Sequence, residues 1–135
     1  WKGAQSQKAV FEAYENSDLF IMPSIIATDG DRDGLPNVLM EAASKKVCCI
    51  ATDLPGITEF IRHDDTGWIV PSKNSRELTR SIISLSQDPA KRVRLAESAN
   101  KLLVRHFSHS ENVQYIIELL KSDLDTNEDV IQDSI

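Results

Sequence analysis

Apolar residues fall along the chain in two distinct periods. The runs Leu19-Phe20-Ile21-Met22, Val47-Cys48-Cys49-Ile50-Ala51 and Trp68-Ile69-Val70 are continuous. Short unbroken runs bounded by turn residues mark strands covered on both faces of a parallel sheet. Between them the apolar positions recur at helical spacing. Val10, Phe11 and Tyr14 predict a helix over 7–16 with Ser6 as its N-cap, and Asn16-Ser17-Asp18 breaks it. Pro23-Ser24 ends the first strand, and Val38, Leu39, Met40, Ala42 and Ala43 predict a helix over 36–44. After the second strand, Pro55-Gly56 predicts a turn and 58–62 a short helix, whose dipole Glu59 is placed to cap. Gly56 and Gly67 read as turn glycines supplying positive φ.

The second half of the chain is helical. Ser75 is expected to cap a helix with Leu78, Ile82, Ile83 and Leu85 on its apolar side. Asp88-Pro89 opens another, with Val93, Ala96, Ala99, Leu103 and His106 as its stripe. A last helix is expected from Ser108 or Ser110, carrying Val113, Ile116, Ile117 and Leu120. From Ser122 the periodicity is lost, and residues 123–135 read as an acidic, disordered tail. Strands alternating with helices predict an α/β class, with about three parallel strands and helices on both faces.

Composition changes this picture little. Of 135 residues, 41% are apolar and 27% charged, as in ordinary globular domains. The net charge of −6 argues against a general nucleic-acid surface, though not against a nucleotide ligand. No apolar run is long enough to span a membrane. Cys48 and Cys49 are strand neighbours pointing to opposite faces, so they read as two buried thiols rather than a disulfide. His63, His106 and His109 are scattered and form no catalytic pattern. The chain begins at Trp1 without an initiator Met, which suggests a piece of a longer protein.

The candidate chemistry lies between the first strand and the second helix. The stretch Asp29-Gly30-Asp31-Arg32-Asp33-Gly34-Leu35-Pro36-Asn37-Val38-Leu39-Met40-Glu41 runs from an acidic, Gly-containing loop into a helix N-terminus. Pro36 suits a first helical turn, where its missing N–H is not needed. The N–H groups of Leu35, Asn37 and Val38 would face an anion, aided by the helix dipole. Asp33 lies in the loop and Glu41 about five residues into the helix, roughly 6–8 Å further on at the helical rise. That offset matches the separation of a sugar diphosphate from its ribose. A calcium loop is the rival reading, because Asp29, Asp31, Asp33 and Gly34 match its opening positions. The match fails at the twelfth position, which is Met40, with Glu41 one residue too late.

Four segments in order carry a family resemblance. They are Ser17-Asp18-Leu19-Phe20-Ile21-Met22-Pro23-Ser24, Asp33-Gly34-Leu35-Pro36-Asn37-Val38-Leu39-Met40-Glu41-Ala42, Ala51-Thr52-Asp53-Leu54-Pro55-Gly56-Ile57-Thr58-Glu59 and Thr66-Gly67-Trp68-Ile69-Val70-Pro71. Together they resemble the group 1 (family 4) glycosyltransferases, which are retaining enzymes of the GT-B fold. The resemblance spans roughly residues 1–120 and implies a nucleotide-sugar donor as substrate. By position it assigns Asp33 to the transferred sugar as the catalytic carboxylate, Glu41 to the ribose, and Gly34, Leu35, Pro36, Asn37 and Val38 to the donor diphosphate.

It also implies that residues 1–122 are the second half of a Rossmann-like GT-B donor-binding domain. Neither a metal nor a cofactor is expected. The partners implied are an N-terminal acceptor domain of the same protein and an acceptor on the cytoplasmic membrane face, with no nucleic acid. The protein would then be cytoplasmic. The Arg and Lys that such enzymes place on the phosphates would precede Trp1, so the isolated chain is expected to be inactive.

The chain departs from the family in two places. Asp33 stands where Glu is usual, and Lys45-Lys46-Val47-Cys48 replaces a small-Gly-x-Pro segment, which predicts a changed turn. A degenerate, non-catalytic nucleotide- or partner-binding domain is the alternative. Cutting the domain here also predicts that Leu19–Met22 becomes a sheet edge through which the chain self-associates.

Overall fold

The structure, a computed structural model, describes residues 3–26 and 36–106. Its elements run α1 (Gln7–Glu15), β1 (Leu19–Met22), α2 (Asn37–Ser44), β2 (Cys48–Thr52), α3 (Pro55–Thr58), β3 (Trp68–Val70), α4 (Ser75–Ser86) and α5 (Pro89–His106). The expected last helix, the limit at residue 122 and the acidic tail lie outside the described residues. The chain groups into a unit running to Leu103 and another from Val104, and the first holds all three strands.

The sheet has the order β1-β2-β3 and is parallel throughout. Leu19 pairs with Cys48 and Met22 with Ala51, while Ile50 pairs with Trp68 and Thr52 with Val70. β2 is the middle strand, and every one of its residues is buried. That explains its unbroken apolar sequence, since it faces protein on both sides and at both edges. β1 has a single strand neighbour, so it forms an edge among the described residues, as expected.

Successive residues of β2 serve opposite layers. Cys48 and Ile50 join Val70, Leu85, Leu95 and Ala96 in a core completed by Leu19, Ile21, Trp68, Leu78 and Ile82, so α4 and α5 cover this face. On the other face Phe20 meets the Tyr14 ring of α1 edge-on at 5.5 Å, and α2 packs on β2 through buried Leu39, Ala42 and Ala43. Both cysteines are free and buried, one to each layer. The Arg92 guanidinium ties the layers at the amino ends of the strands. It donates to the carbonyls of Leu85 at 2.7 Å and Ser86 at 2.8 Å, and to Asp18 Oδ1 at 3.0 Å.

Several local expectations need correction. β2 begins one residue later than the apolar run and extends to Thr52. The short helix is Pro55–Thr58 rather than 58–62, because Pro55 starts it and Leu54 is its N-cap. Glu59 therefore stands at its C-terminal end, the wrong end for a carboxylate to oppose the dipole. Asn74, not Ser75, caps α4, its side chain accepting from the Glu77 N–H at 3.0 Å. Ile83 and Val93 are 52% and 58% exposed, and Leu95 takes the core position on α5.

The glycines also differ from expectation. Neither Gly56 nor Gly67 has positive φ. Gly56 lies inside α3. Gly67 is required for space, because a Cβ there would sit 2.8 Å from Ile61 Cγ2 and 3.0 Å from the Cys49 carbonyl oxygen. Among the described non-glycine residues Asp64 and Lys73 are left-handed, and so is Lys46, at φ 55°. It follows the α2 C-cap, Lys45, and the N–H groups of Lys46 and Val47 donate to the carbonyls of Ala43 and Ala42. This is a Schellman turn with lysine in the position glycine usually takes. The turn expected to change through loss of the family glycine is therefore built in its ordinary helix-ending geometry.

Candidate functional site

The carboxyl ends of the strands are laced together by short polar links. The Thr52 hydroxyl donates to the Ser24 carbonyl at 2.8 Å, joining β2 to the segment that leaves β1. The Asp53 N–H donates to the Val70 carbonyl at 3.1 Å, and Asp53 Oδ1 accepts from the Ser72 N–H at 2.7 Å. A shallow cleft of about 230 Å³ lies at this end, lined by Pro23, Ile25, Thr52, Val70 and Leu78 among others. In open parallel sheets this is the end at which ligands bind.

Helix α2 starts on the same side of the fold. Pro36 is its N-cap at φ −70° and ψ 125°, as its fixed ring favours. The first intrahelical bond runs from the Leu39 N–H to the Pro36 carbonyl at 3.0 Å. The N–H groups of Asn37 and Val38 precede it, at the positive end of the helix dipole. Asn37 and Val38 are exposed, and Pro36 and Glu41 half-buried. Glu41 lies one helical turn in from the start. Asp33, Gly34 and Leu35, the other assigned residues, lie outside the described residues, as do Asp29 and Asp31 of the calcium alternative. Among the described residues no group of three or more His, Cys, Asp or Glu is arranged to hold a metal ion.

The sequence reading missed Tyr14. Its helical spacing marked it only as a packing residue, yet its hydroxyl donates to the Val38 carbonyl at 3.3 Å. Burial, and then the negative charge of Glu41, push the Tyr14 phenol above its ordinary pKa. The available signal was chemical, since a tyrosine on a buried helix face must find a partner for its hydroxyl.

His63 remains apart from this site. The His63 ring packs on Trp68 at 4.2 Å, and Lys91 Nζ lies 4.1 Å from the centre of that indole ring. Asp64 next to it pairs with Arg94 and Lys91, which holds its carboxyl below the usual range. No described helix is long and apolar enough to cross a membrane.

Comparison with known proteins agrees with this geometry. Residues 1–102 match the family model described as "Glycosyl transferases group 1". The amylovoran biosynthesis glycosyltransferase AmsK of Erwinia amylovora is 29% identical over 119 residues, covering 88% of this chain and 29% of AmsK. The putative colanic acid biosynthesis glycosyltransferase WcaL of Escherichia coli is 36% identical over 73 residues, covering 54% of this chain and 18% of WcaL. The chain thus spans less than a third of the length of these relatives.

Among solved structures, sucrose-phosphate synthase of Thermosynechococcus elongatus superposes with TM-score 0.78 at 19% identity, over 92% of this chain and 30% of that one. HepE of Anabaena in complex with UDP superposes with TM-score 0.72 at 23% identity, over 82% and 29%. With the family model covering the strands, α2 and most of α5, the chain belongs to the group 1 glycosyl transferases, and its parallel sheet and flanking helices are the Rossmann-like C-terminal domain fold of GT-B enzymes.

Proposed function

We propose that this chain carries part of the donor site of a retaining, family 4 glycosyltransferase that uses a nucleotide-activated sugar. The observation that carries the reading is the start of α2: the N–H groups of Asn37 and Val38 at the positive end of the helix, with the Glu41 carboxylate one turn further along. In this reading the N-terminal turn of α2, with Gly34, Leu35 and Pro36, faces the donor diphosphate. Charge developing on the leaving diphosphate is stabilised by N–H groups already in place. Glu41 accepts from the ribose hydroxyls, and Asp33 binds the transferred sugar. HepE, which shares the fold, was solved with UDP bound, and that supports a nucleotide-sugar substrate.

The whole enzyme would add an acceptor domain N-terminal to this chain and act in the cytoplasm on an acceptor at the membrane face. It would need neither metal nor cofactor nor nucleic acid. A degenerate, non-catalytic nucleotide- or partner-binding domain is the alternative, and turnover of a sugar nucleotide by the full-length protein would exclude it.

The test is a donor screen on the full-length protein, with the anomeric configuration of the product read by NMR. Glu41→Ala should weaken donor binding by about 1.5–3 kcal/mol, the value of a charged hydrogen bond. Asp33→Ala should lower turnover more than nucleotide binding, and Asp33→Glu should be tolerated. Wild-type kinetics in either alanine variant refute the reading, an inverted product refutes retention, and chelator sensitivity refutes metal independence. The isolated 135-residue chain should show no transfer.

A further inference from the structure

Thr52 is the last residue of β2 and only 3% exposed. Along the backbone it pairs with Val70 of β3, while its hydroxyl donates towards the other neighbour, to the Ser24 carbonyl at 2.8 Å. The ladder between β1 and β2 ends with Met22 opposite Ala51. The next residue, Pro23, has no N–H with which to extend it. The Thr52 side chain thus supplies a link that the backbone of Pro23 cannot. Among the described residues it is the one hydrogen bond made by residues 23–26.

This link bounds the cleft at the carboxyl ends of the strands. Pro23 and Ile25, on the chain leaving β1, line one side of it, and Val70, Pro71 and Leu78 the other, with Thr52 between them. Asp53 steadies the β3 side by accepting from the Ser72 N–H at 2.7 Å. On the β1 side the Thr52 hydroxyl does this work. Helix α2 is held differently, by Leu39, Ala42 and Ala43 buried against β2. The place of its first turn is therefore set by packing and not by Thr52.

We infer that Thr52 is a positioning residue of the donor site, whose hydroxyl fixes the exit of β1 and so the side of the cleft on which the transferred sugar is presented. The inference rests on the donor reading made above, in which Asp33, further along the chain from Ser24, binds that sugar. Thr52 touches no substrate and acts through the Ser24 carbonyl. A displacement of about 1 Å at a reacting group costs far more in rate than in affinity. Loss of the hydroxyl should therefore slow bond breaking at the sugar while the nucleotide stays bound at α2.

The experiment uses the full-length protein that contains this chain. UDP-glucose, UDP-N-acetylglucosamine and GDP-mannose are offered with water as the acceptor. Water adds to the anomeric carbon, the bond to the diphosphate oxygen breaks, and the released UDP or GDP gives kcat and KM for the best of the three. Calorimetry with UDP and GDP measures the hold on the nucleotide alone. Thr52→Val keeps the branched shape and removes the donor. Thr52→Ser keeps the donor and gives up a buried methyl group. Both are assayed well below their melting temperatures. Thr52→Val should lower kcat about tenfold and change nucleotide affinity by less than about twofold. Thr52→Ser should keep a kcat near wild type although it melts earlier.

If none of the three sugar nucleotides is hydrolysed, or Glu41→Ala leaves nucleotide affinity unchanged, the donor reading fails and the inference with it. If the donor reading holds, three results overturn the inference alone: wild-type kcat in Thr52→Val, an equal loss of kcat and nucleotide affinity in that variant, or a serine variant as slow as the valine one. Thr52 is then a packing residue only. Thr52→Cys covers a valine variant that fails to fold, because a thiol is a much weaker donor than a hydroxyl. Its kcat should lie below that of Thr52→Ser, and equal values overturn the inference.

Discussion

The Lys46 N–H donates to the Ala43 carbonyl at 3.1 Å, closing the end of α2 with a lysine in left-handed conformation. An L-residue with a Cβ is strained there by about 1–2 kcal/mol, whereas glycine is not. Glycine has a more flexible unfolded chain, which offsets part of the gain. Lys46→Gly should therefore stabilise the protein by about 0.5–1 kcal/mol, read by urea denaturation. A destabilised variant would mean that the Lys46 side chain contributes more than its backbone strain costs.

Gly67 is predicted to be intolerant for a different reason. It sits beneath β2, with Ile61 Cγ2 and the Cys49 carbonyl where a Cβ would go. The carbonyl belongs to the central strand and cannot move aside. Gly67→Ala should cost about 1–3 kcal/mol. A variant as stable as wild type in thermal melts would show that the turn between α3 and β3 can shift.

The cysteines give a pH dependence with a definite sign. Burial pushes the Cys48 thiol up to about 11 and the Cys49 thiol up to about 12, from an ordinary value of 9.0. Between about pH 9 and pH 11 the unfolded chain loses these protons while the folded chain keeps them, so stability falls as pH rises. The decline should be shallower in Cys49→Ala than in wild type, compared by melting temperature across this range. Iodoacetamide should label both thiols only after unfolding. Equal slopes, or rapid labelling of the native protein, would contradict this account.

The open edge of β1 leads to a prediction about association. Among the described residues β1 is bonded on one side only, and the groove between it and α1, about 540 Å³, is lined by Ala9, Val10, Ala13, Leu19 and Phe20 among others. An apolar strand with unpaired backbone groups invites another strand. The isolated chain should self-associate in sedimentation velocity, and Phe20→Lys should reduce this. A strict monomer at high concentration would sink the idea.

The three strands and most helices were legible because β2 is buried on both faces and helices α1, α2 and α4 carry clear spacing. The errors fell where spacing says little. Val93 and Leu95 are both apolar and two residues apart on α5, and only the neighbouring strand decides which one is covered. Gly67 lacks the positive φ expected of it and Lys46 has one, because the left-handed turn closes the end of α2 by hydrogen bonds with whichever residue stands there. Asn37 and Glu41 stand within α2 as expected, while Pro36 is its N-cap rather than a residue of its first turn. Tyr14 stayed hidden because its hydrogen-bond partner, Val38, lies 24 positions away in the chain.

The sheet order follows the order of the chain, β1 then β2 then β3, each joined to the next by a crossover. A ribosome releases these strands in the order in which they pair. β2 can therefore dock on β1 as it emerges, and β3 on β2, with no strand waiting for a later insertion between two others. The outer side of β1 is different, because nothing synthesised within the described segments after it comes back to close it. Within the described segments the sheet would thus grow in one direction during synthesis, away from β1.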